Sequence, residues 1–164
     1  MPMKRLWPAV WAGLLVLAAC GGPSAPAAGT KTDLLDFTVT TLDGAKFEGK
    51  SLAGKPAVLW FWAPWCPTCL GQAPWVKQVA TAYAGKVTFV GVAGLDKESE
   101  MRWFVDLTKL DNMPHLADEE GVVWKRFGIA EQSLFVVLDA SGSVVGRGRL
   151  DEDELKDKLT ALAG

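Results

Sequence analysis

Apolar and polar residues alternate over Asp36-Phe37-Thr38-Val39-Thr40 and again over Lys46-Phe47-Glu48, with Leu42-Asp43-Gly44-Ala45 between them. A period of two around a glycine-containing turn predicts a β-hairpin. Ala57-Val58-Leu59-Trp60-Phe61-Trp62 then runs without a polar residue after Gly54-Lys55-Pro56, the pattern of a central strand buried on both faces. From Pro67 to Tyr83 the apolar positions Leu70, Ala73, Val76, Val79, Ala80 and Tyr83 recur at three-and-four spacing, which predicts a helix ended by Gly85. Pro74 lies inside that helix and is expected to kink it, because proline removes one backbone hydrogen bond.

The alternation of element types continues to the C-terminus. Lys86 to Val92 reads as a second buried strand, and Glu98 to Leu110 as a helix with Met101, Val105 and Leu110 on its apolar face. Met113 to Asp118 reads as a connection, and Glu119 to Phe127 as a short helix. Leu134 to Leu138 and Val144 to Gly148 read as hairpin strands about the Asp139-Ala140-Ser141-Gly142 turn. Asp151 to Ala163 closes the chain as a helix, with Asp151 as N-cap and Glu154 placed to complete a capping box. Strand–helix–strand–helix followed by an antiparallel hairpin predicts an α/β fold with a central mixed sheet, helices on both faces and an extra N-terminal hairpin.

The first thirty residues follow a different pattern. Lys4 and Arg5 precede an apolar run, Leu6 to Ala19, that ends in Leu17-Ala18-Ala19-Cys20. A positive start, a short apolar stretch and a small-residue end make a signal peptide, and the run is shorter than the ~20 residues of a membrane-spanning helix. The segment resembles a bacterial lipobox. That resemblance implies cleavage before Cys20 and lipidation of Cys20 by acyl (palmitate-type) chains, which would hold the protein on the extracytoplasmic face of the cell membrane. Gly21 to Thr30 contains only Gly, Pro, Ser, Ala and Thr, a tether composition. The expected organisation is 1–19 signal peptide, 20–32 lipidated cysteine and tether, and 33–164 a single folded domain.

Composition narrows the function classes. Hydrophobic residues are 49% of the 164 and include eight Trp, enough for a packed core. Charged residues are 22% and the net charge is -2, so the chain lacks the basic footprint of a nucleic-acid partner.

With Cys20 set aside, two thiols remain, spaced Cys66-Pro67-Thr68-Cys69 where the central strand meets a helix. A CxxC at such a junction reads as a redox motif. The unpaired amides and dipole of a helix start favour an anion, so Cys66 is the expected nucleophile and Cys69, one turn on, the resolving thiol. Structural zinc would need two further ligands, and the domain offers only His115, so no metal is expected. A structural staple is the other reading, but a loop this short adds little stability. His115, without a second ligand or nucleophile near it in sequence, reads as a surface or connection residue. Trp62 and Trp65 are expected to flank the cysteines, and Trp60, Phe61, Trp103 and Trp124 to lie in the core.

Trp62-Ala63-Pro64-Trp65-Cys66-Pro67-Thr68-Cys69, with Pro74 beyond it, resembles the active site of extracytoplasmic thioredoxins of the TlpA and DsbE/DsbF type. The resemblance covers roughly Asp33 onward and implies a thioredoxin-like fold and disulfide exchange with exported cysteine-containing proteins. The redox-active disulfide itself would serve, with no further cofactor, and a membrane redox partner would recycle it. Pro67, Thr68, Gln72, Gln132 and Ser133 would surround the pair. Two positions depart from relatives. Cytoplasmic thioredoxins carry a proton-relaying Asp where this chain has Trp60. The cytochrome c maturation reductants carry a Glu where it has Gln72, which cannot accept a proton. Both absences point away from the reducing branches, toward an oxidising or isomerising role, of which oxidation of exported thiols is preferred; drift on a tolerant scaffold is the alternative. A TlpA-type reductase and a non-catalytic binding lipoprotein are the rival functions.

The fold's cis-proline, which faces the CxxC, aligns with Ser133. A cis bond without proline costs about 3–4 kcal/mol, so the Gln132-Ser133 peptide is open between cis and trans. Ser133 reads either as a turn residue or as a hydrogen-bond donor to the thiolate, with the turn favoured, and the position is expected to accept proline without loss of fold.

Overall fold

The computed structural model describes residues 34–163. The expected signal segment, tether and Cys20 lie outside the described residues. Strands β1 (Thr38–Thr40) and β2 (Lys46–Glu48) form a separate antiparallel pair, with Thr38 opposite Glu48 and Thr40 opposite Lys46, as the alternation predicts. A 3-10 turn, Gly49–Leu52, follows them. Strands β3 (Ala57–Trp62), β4 (Thr88–Ala93), β5 (His115–Ala117), β6 (Leu134–Leu138) and β7 (Val144–Gly148) make one sheet in the order β5-β4-β3-β6-β7. β3, β4 and β5 run parallel, and β6 and β7 add antiparallel partners. Helices α1 (Pro67–Ala82), α2 (Glu98–Thr108), α3 (Val122–Arg126) and α4 (Glu152–Ala163) connect and cover it.

The uninterrupted apolar run of β3 explains its central place. Every residue of it is buried, because successive side chains enter different cores. Val58, Trp60 and Trp62 join Val76, Val79, Phe104, Leu155 and Leu159 under α1, α2 and α4. Ala57, Leu59 and Phe61 join Trp124 and Phe127 of the α3 region, with Phe37 and Leu52 of the N-terminal segment. A mixed sheet covered on both faces, with an added hairpin, is what the chain's patterning predicts.

α4 starts on the expected box: the Asp151 backbone N–H donates to Glu154 Oε2 at 3.0 Å, and the Glu154 N–H donates to Asp151 Oδ1 at 2.9 Å. α1 runs through Pro74 from Pro67 to Ala82. Its buried face differs from the expected one at Leu70, which is exposed, while Gln72 is buried. The amide can go inside because both its ends find partners there, Trp60 Nε1 and the Ser133 carbonyl.

Four further expectations need correction. Met113 to Asp118 is not only a connection, since His115–Ala117 forms the edge strand β5 against β4. Three residues are too few for periodicity to register. A bridge between Thr41 and Leu116 and the Leu42 N–H to His115 carbonyl bond, 2.7 Å, lay the N-terminal hairpin along that edge, so it is not left open to another chain. Trp103 is 55% exposed rather than in the core, because α2 turns Met101 and Phe104 inward instead. Trp62 is fully buried, with its ring 4.4 Å from that of Phe104, so it supports the site from below rather than flanking it.

His115 is not at the surface either. It is 6% exposed, its Nε2 donates to the Leu110 carbonyl at 2.7 Å, and its ring meets Trp62 edge-on at 5.6 Å. The position opposite it in β4 is Gly91, where a Cβ would overlap His115 and lie 2.8 Å from Trp62 Nε1. Burial holds the imidazole neutral, lowering its pKa from 6.5 to about 4. The unfolded chain therefore binds a proton that the folded one refuses between pH 6.5 and about 4, and stability falls as pH falls through that window. Comparing urea midpoints of the wild type and His115→Gln across it should show a steeper decline in the wild type, by up to about 1.4 kcal/mol per pH unit. Parallel curves would rule out this proton uptake.

Candidate active site

β3 delivers the chain through Ala63, Pro64 and Trp65 to Cys66, whose N–H donates to the Ala63 carbonyl at 3.2 Å. Cys66 has extended dihedrals (φ -85°, ψ 110°) and is the N-cap of α1, with Pro67 at the first helical position. Proline suits that place because its fixed φ is helical and its missing N–H would have had no partner there. The Cys66 sulfur accepts the Cys69 backbone N–H at 3.0 Å, so the nucleophile position takes up one of the orphan amides of the helix start. Cys66 and Cys69 are joined as a disulfide, with Cα atoms 5.2 Å apart. Both are buried, at 2% and 0% exposure.

The structure brings Ser133 and Gln72 to the pair. The Ser133 hydroxyl lies 3.1 Å from Cys66 Sγ and 3.3 Å from Cys69 Sγ, and Ser133 is 1% exposed. It is a contact residue of both sulfurs, not merely a turn filler. The described residues contain no cis peptide bond, so the Gln132-Ser133 bond is trans. Ser133 instead takes the left-handed conformation, φ 68°, and its N–H donates to the Phe61 carbonyl at 2.8 Å. Proline can provide neither that φ nor an N–H, so the expectation that Ser133 tolerates proline is overturned.

Gln72 donates through Nε2 to the Ser133 carbonyl, 3.4 Å, and accepts through Oε1 from Trp60 Nε1, 2.9 Å. Trp60 and Gln72, the two positions at which the resemblance to reducing thioredoxins leads one to expect carboxylates, are therefore bonded to each other. An indole only donates, so Oε1 must face Trp60 and Nε2 must face Ser133. Reasoning from sequence treats Trp60 and Gln72 as two independent losses; their shared signal is that both lie six residues from Cys66, one able only to donate and the other able to accept.

The remaining surround is less closely engaged. Trp65 is 53% exposed and donates through Nε1 to the Leu95 carbonyl at 3.3 Å, which fixes the indole at the rim beside Cys66. The Leu95 loop is a partner that the sequence did not signal. Pro67 and Thr68 are exposed on the first turn of α1, and Gln132 is half-buried beside Ser133. None of the hydrogen bonds to the two sulfurs among the described residues comes from an ionisable side chain. The arrangement holds a disulfide that an incoming thiolate can open at Cys66, with amide and hydroxyl donors ready for the sulfur that leaves.

Comparison with known proteins places this geometry. The AhpC/TSA family model matches residues 30–147. The soluble secreted antigen MPT53 of Mycobacterium tuberculosis is 41% identical over 153 residues, covering 91% of this chain and 87% of that protein. The structure of MTB dsbF in its mixed oxidized and reduced forms superposes with a TM-score of 0.76 at 51% identity, covering 79% of this chain and 97% of that one. A secreted M. tuberculosis disulfide oxidoreductase described as homologous to E. coli DsbE gives a TM-score of 0.72 at 43% identity, covering 79% and 98%. The thioredoxin-like fold, the strand-to-helix CxxC and these relatives agree: the chain belongs to the AhpC/TSA family and, within it, to the extracytoplasmic thioredoxin-like thiol-disulfide oxidoreductases of the DsbE type.

Proposed function

We propose that this enzyme oxidises thiol pairs in exported proteins, with Cys66 as the exchanging sulfur and Cys69 as the resolving one. A substrate thiolate attacks Cys66, Cys69 leaves with the electron pair of the broken S–S bond, and the substrate's second thiolate then displaces Cys66. The enzyme ends as a dithiol and a membrane redox partner reoxidises it. The exchange itself uses no cofactor beyond the Cys66–Cys69 disulfide.

The observation that carries this reading is the neutral donor set around the pair: the Cys69 amide, the start of α1 and the Ser133 hydroxyl, with the neutral Trp60–Gln72 pair behind them. Donors at a helix start favour a thiolate over a thiol. Whatever stabilises the thiolate stabilises the reduced enzyme, and a stabilised reduced form makes the disulfide a stronger oxidant. A carboxylate nearby would do the reverse.

The domain, 33–164, would act at the membrane, tethered through 20–32 by acyl chains on Cys20 after removal of 1–19. Among the described residues no helix is long and apolar enough to cross a membrane. A lipid on Cys20 supplies the attachment in this reading. Two acyl chains give stable anchoring where one gives only reversible binding.

Equilibration with glutathione buffers tests the direction of transfer. A reduction potential well above the thioredoxin value of about -270 mV, with net oxidation of a reduced, unfolded protein substrate, is the expected result. A potential at or below that value assigns the chain to the reductases. In cells, Cys20→Ala should move the protein from the membrane fraction to the soluble fraction, and retention at the membrane would refute the lipid anchor.

A further inference from the structure

We propose that Ser133 is a catalytic residue whose hydroxyl serves the two sulfurs in turn, and that Gln72 and Trp60 are positioning residues that hold it there. The proposal rests on disulfide exchange at Cys66–Cys69 but not on its direction.

The hydroxyl is within hydrogen-bond reach of both sulfurs, 3.1 and 3.3 Å, in a place where Ser133 is 1% exposed. A buried hydroxyl needs a partner, and the two sulfur atoms are the acceptors in reach. Its backbone is an uncommon one for a residue with a Cβ: a left-handed φ of 68° persists only when the surroundings hold it. Two bonds do so, the Ser133 N–H to the Phe61 carbonyl at the end of β3 and the Gln72 amide to the Ser133 carbonyl. Gln72 is 8% exposed and is itself oriented by the donor-only indole of Trp60. The chain Trp60, Gln72, Ser133, sulfur is thus a directed run of neutral hydrogen bonds.

Each half of the exchange breaks one sulfur–sulfur bond and leaves one enzyme sulfur as an anion. When a substrate thiolate bonds to Cys66 Sγ, the electron pair goes to Cys69 Sγ, which is 0% exposed and out of reach of solvent. The Ser133 O–H donates to it. When the substrate's second thiolate closes the substrate disulfide, the pair goes to Cys66 Sγ, and the same O–H turns to that sulfur. Two electrons pass from the substrate thiols to the enzyme; the two protons released go to Cys69 and to water. One donor suffices because only one enzyme sulfur leaves at each step. A proline at this position has no such donor.

Ser133→Gly and Ser133→Ala test the role together. Both remove the hydroxyl, while glycine is at ease at a positive φ, so Ser133→Gly separates lost chemistry from lost fold. A hydrogen bond to a charged group is worth about tenfold or more in an equilibrium or rate constant, tenfold corresponding to about 1.4 kcal/mol. The rate constant for exchange with a protein substrate should therefore fall about tenfold or more in both variants, and the pH midpoint for forming the Cys66 thiolate should rise by about one unit. The dithiol equilibrium should become more reducing by about tenfold, or about 30 mV. The thermal midpoint of Ser133→Gly should be no lower than wild type. Gln72→Leu should raise the thiolate midpoint in the wild-type background and leave it unchanged in Ser133→Gly, because it acts through Ser133.

A Ser133→Gly protein with wild-type rate and midpoint overturns the proposal. An additive effect of Gln72→Leu in Ser133→Gly overturns its positioning role. A reducing wild-type potential would refute the oxidase reading and leave these comparisons standing, whereas a wild type with no exchange activity would refute both.

Discussion

In a Cys69→Ser protein, covalent adducts between Cys66 and substrate cysteines accumulate to near the amount of enzyme, and turnover falls to background. Cys66 is the N-cap, with the rim of Trp65 beside it, whereas Cys69 is fully buried behind it in the first turn of α1. Without Cys69 the enzyme has no disulfide for a substrate thiol to open. The Cys66 thiolate still attacks disulfides already formed in substrates, a substrate thiolate leaving, and the mixed disulfide then has no internal thiol to release it. Well-oriented intramolecular attack acts at an effective concentration of about 10⁵ M or more, which no free thiol in solution can replace. Non-reducing electrophoresis and mass spectrometry of the adducts read the result directly. Cys66→Ser should give neither adducts nor turnover while the domain stays folded. Adducts forming on Cys69 in that variant would reverse the assigned roles, and retained turnover would reduce the CxxC to a structural staple.

The second large effect is on stability. Trp60→Asp, which places a carboxylic acid at the foot of the site, should destabilise the domain by about 3–5 kcal/mol. Trp60 is fully buried and packs near Trp62, Phe104 and Phe135, with ring centroids 5.8, 6.4 and 6.4 Å away. Removing the indole leaves a cavity among three aromatic rings and replaces an N–H donor to Gln72 with a carboxyl that meets another acceptor. Gln72 can turn its amide to suit the carboxyl only by giving up Ser133. Urea denaturation measures the loss. A midpoint like that of the wild type would mean the core around β3 repacks freely, which its density of aromatic contacts argues against.

Much of the frame was legible because its signals are local. The apolar run of β3, the turn at Gly44, the capping box at Asp151 and the CxxC at the head of α1 each declare themselves within a few residues, and the structure places them accordingly. What failed was whatever depends on a neighbour distant in sequence. β5 is a strand only because β4 and the N-terminal hairpin flank it. His115 is buried because Gly91 leaves room for its ring. Trp103 is exposed and Trp62 is buried, against expectation, because α2 turns Phe104, not Trp103, toward β3. A count of aromatic residues cannot say which of them faces inward when a helix offers several.

The candidate site divides along the same line. The chemistry of Cys66 and Cys69 follows from two thiols one helical turn apart at a helix start, a local arrangement that spacing and helix electrostatics suffice to determine. The fate of the residues around them was set by packing across 61 to 67 positions of chain. Only when β6 pairs antiparallel to β3 does Ser133 meet the Phe61 carbonyl and both sulfurs, and only when α1 lies over Trp60 does Gln72 acquire its two partners. The dithiol is thus a property of the sequence, whereas the neutral hydrogen-bond chain that reaches it belongs to the tertiary structure, because each of its links joins residues that only the folded sheet and helix bring within bonding distance.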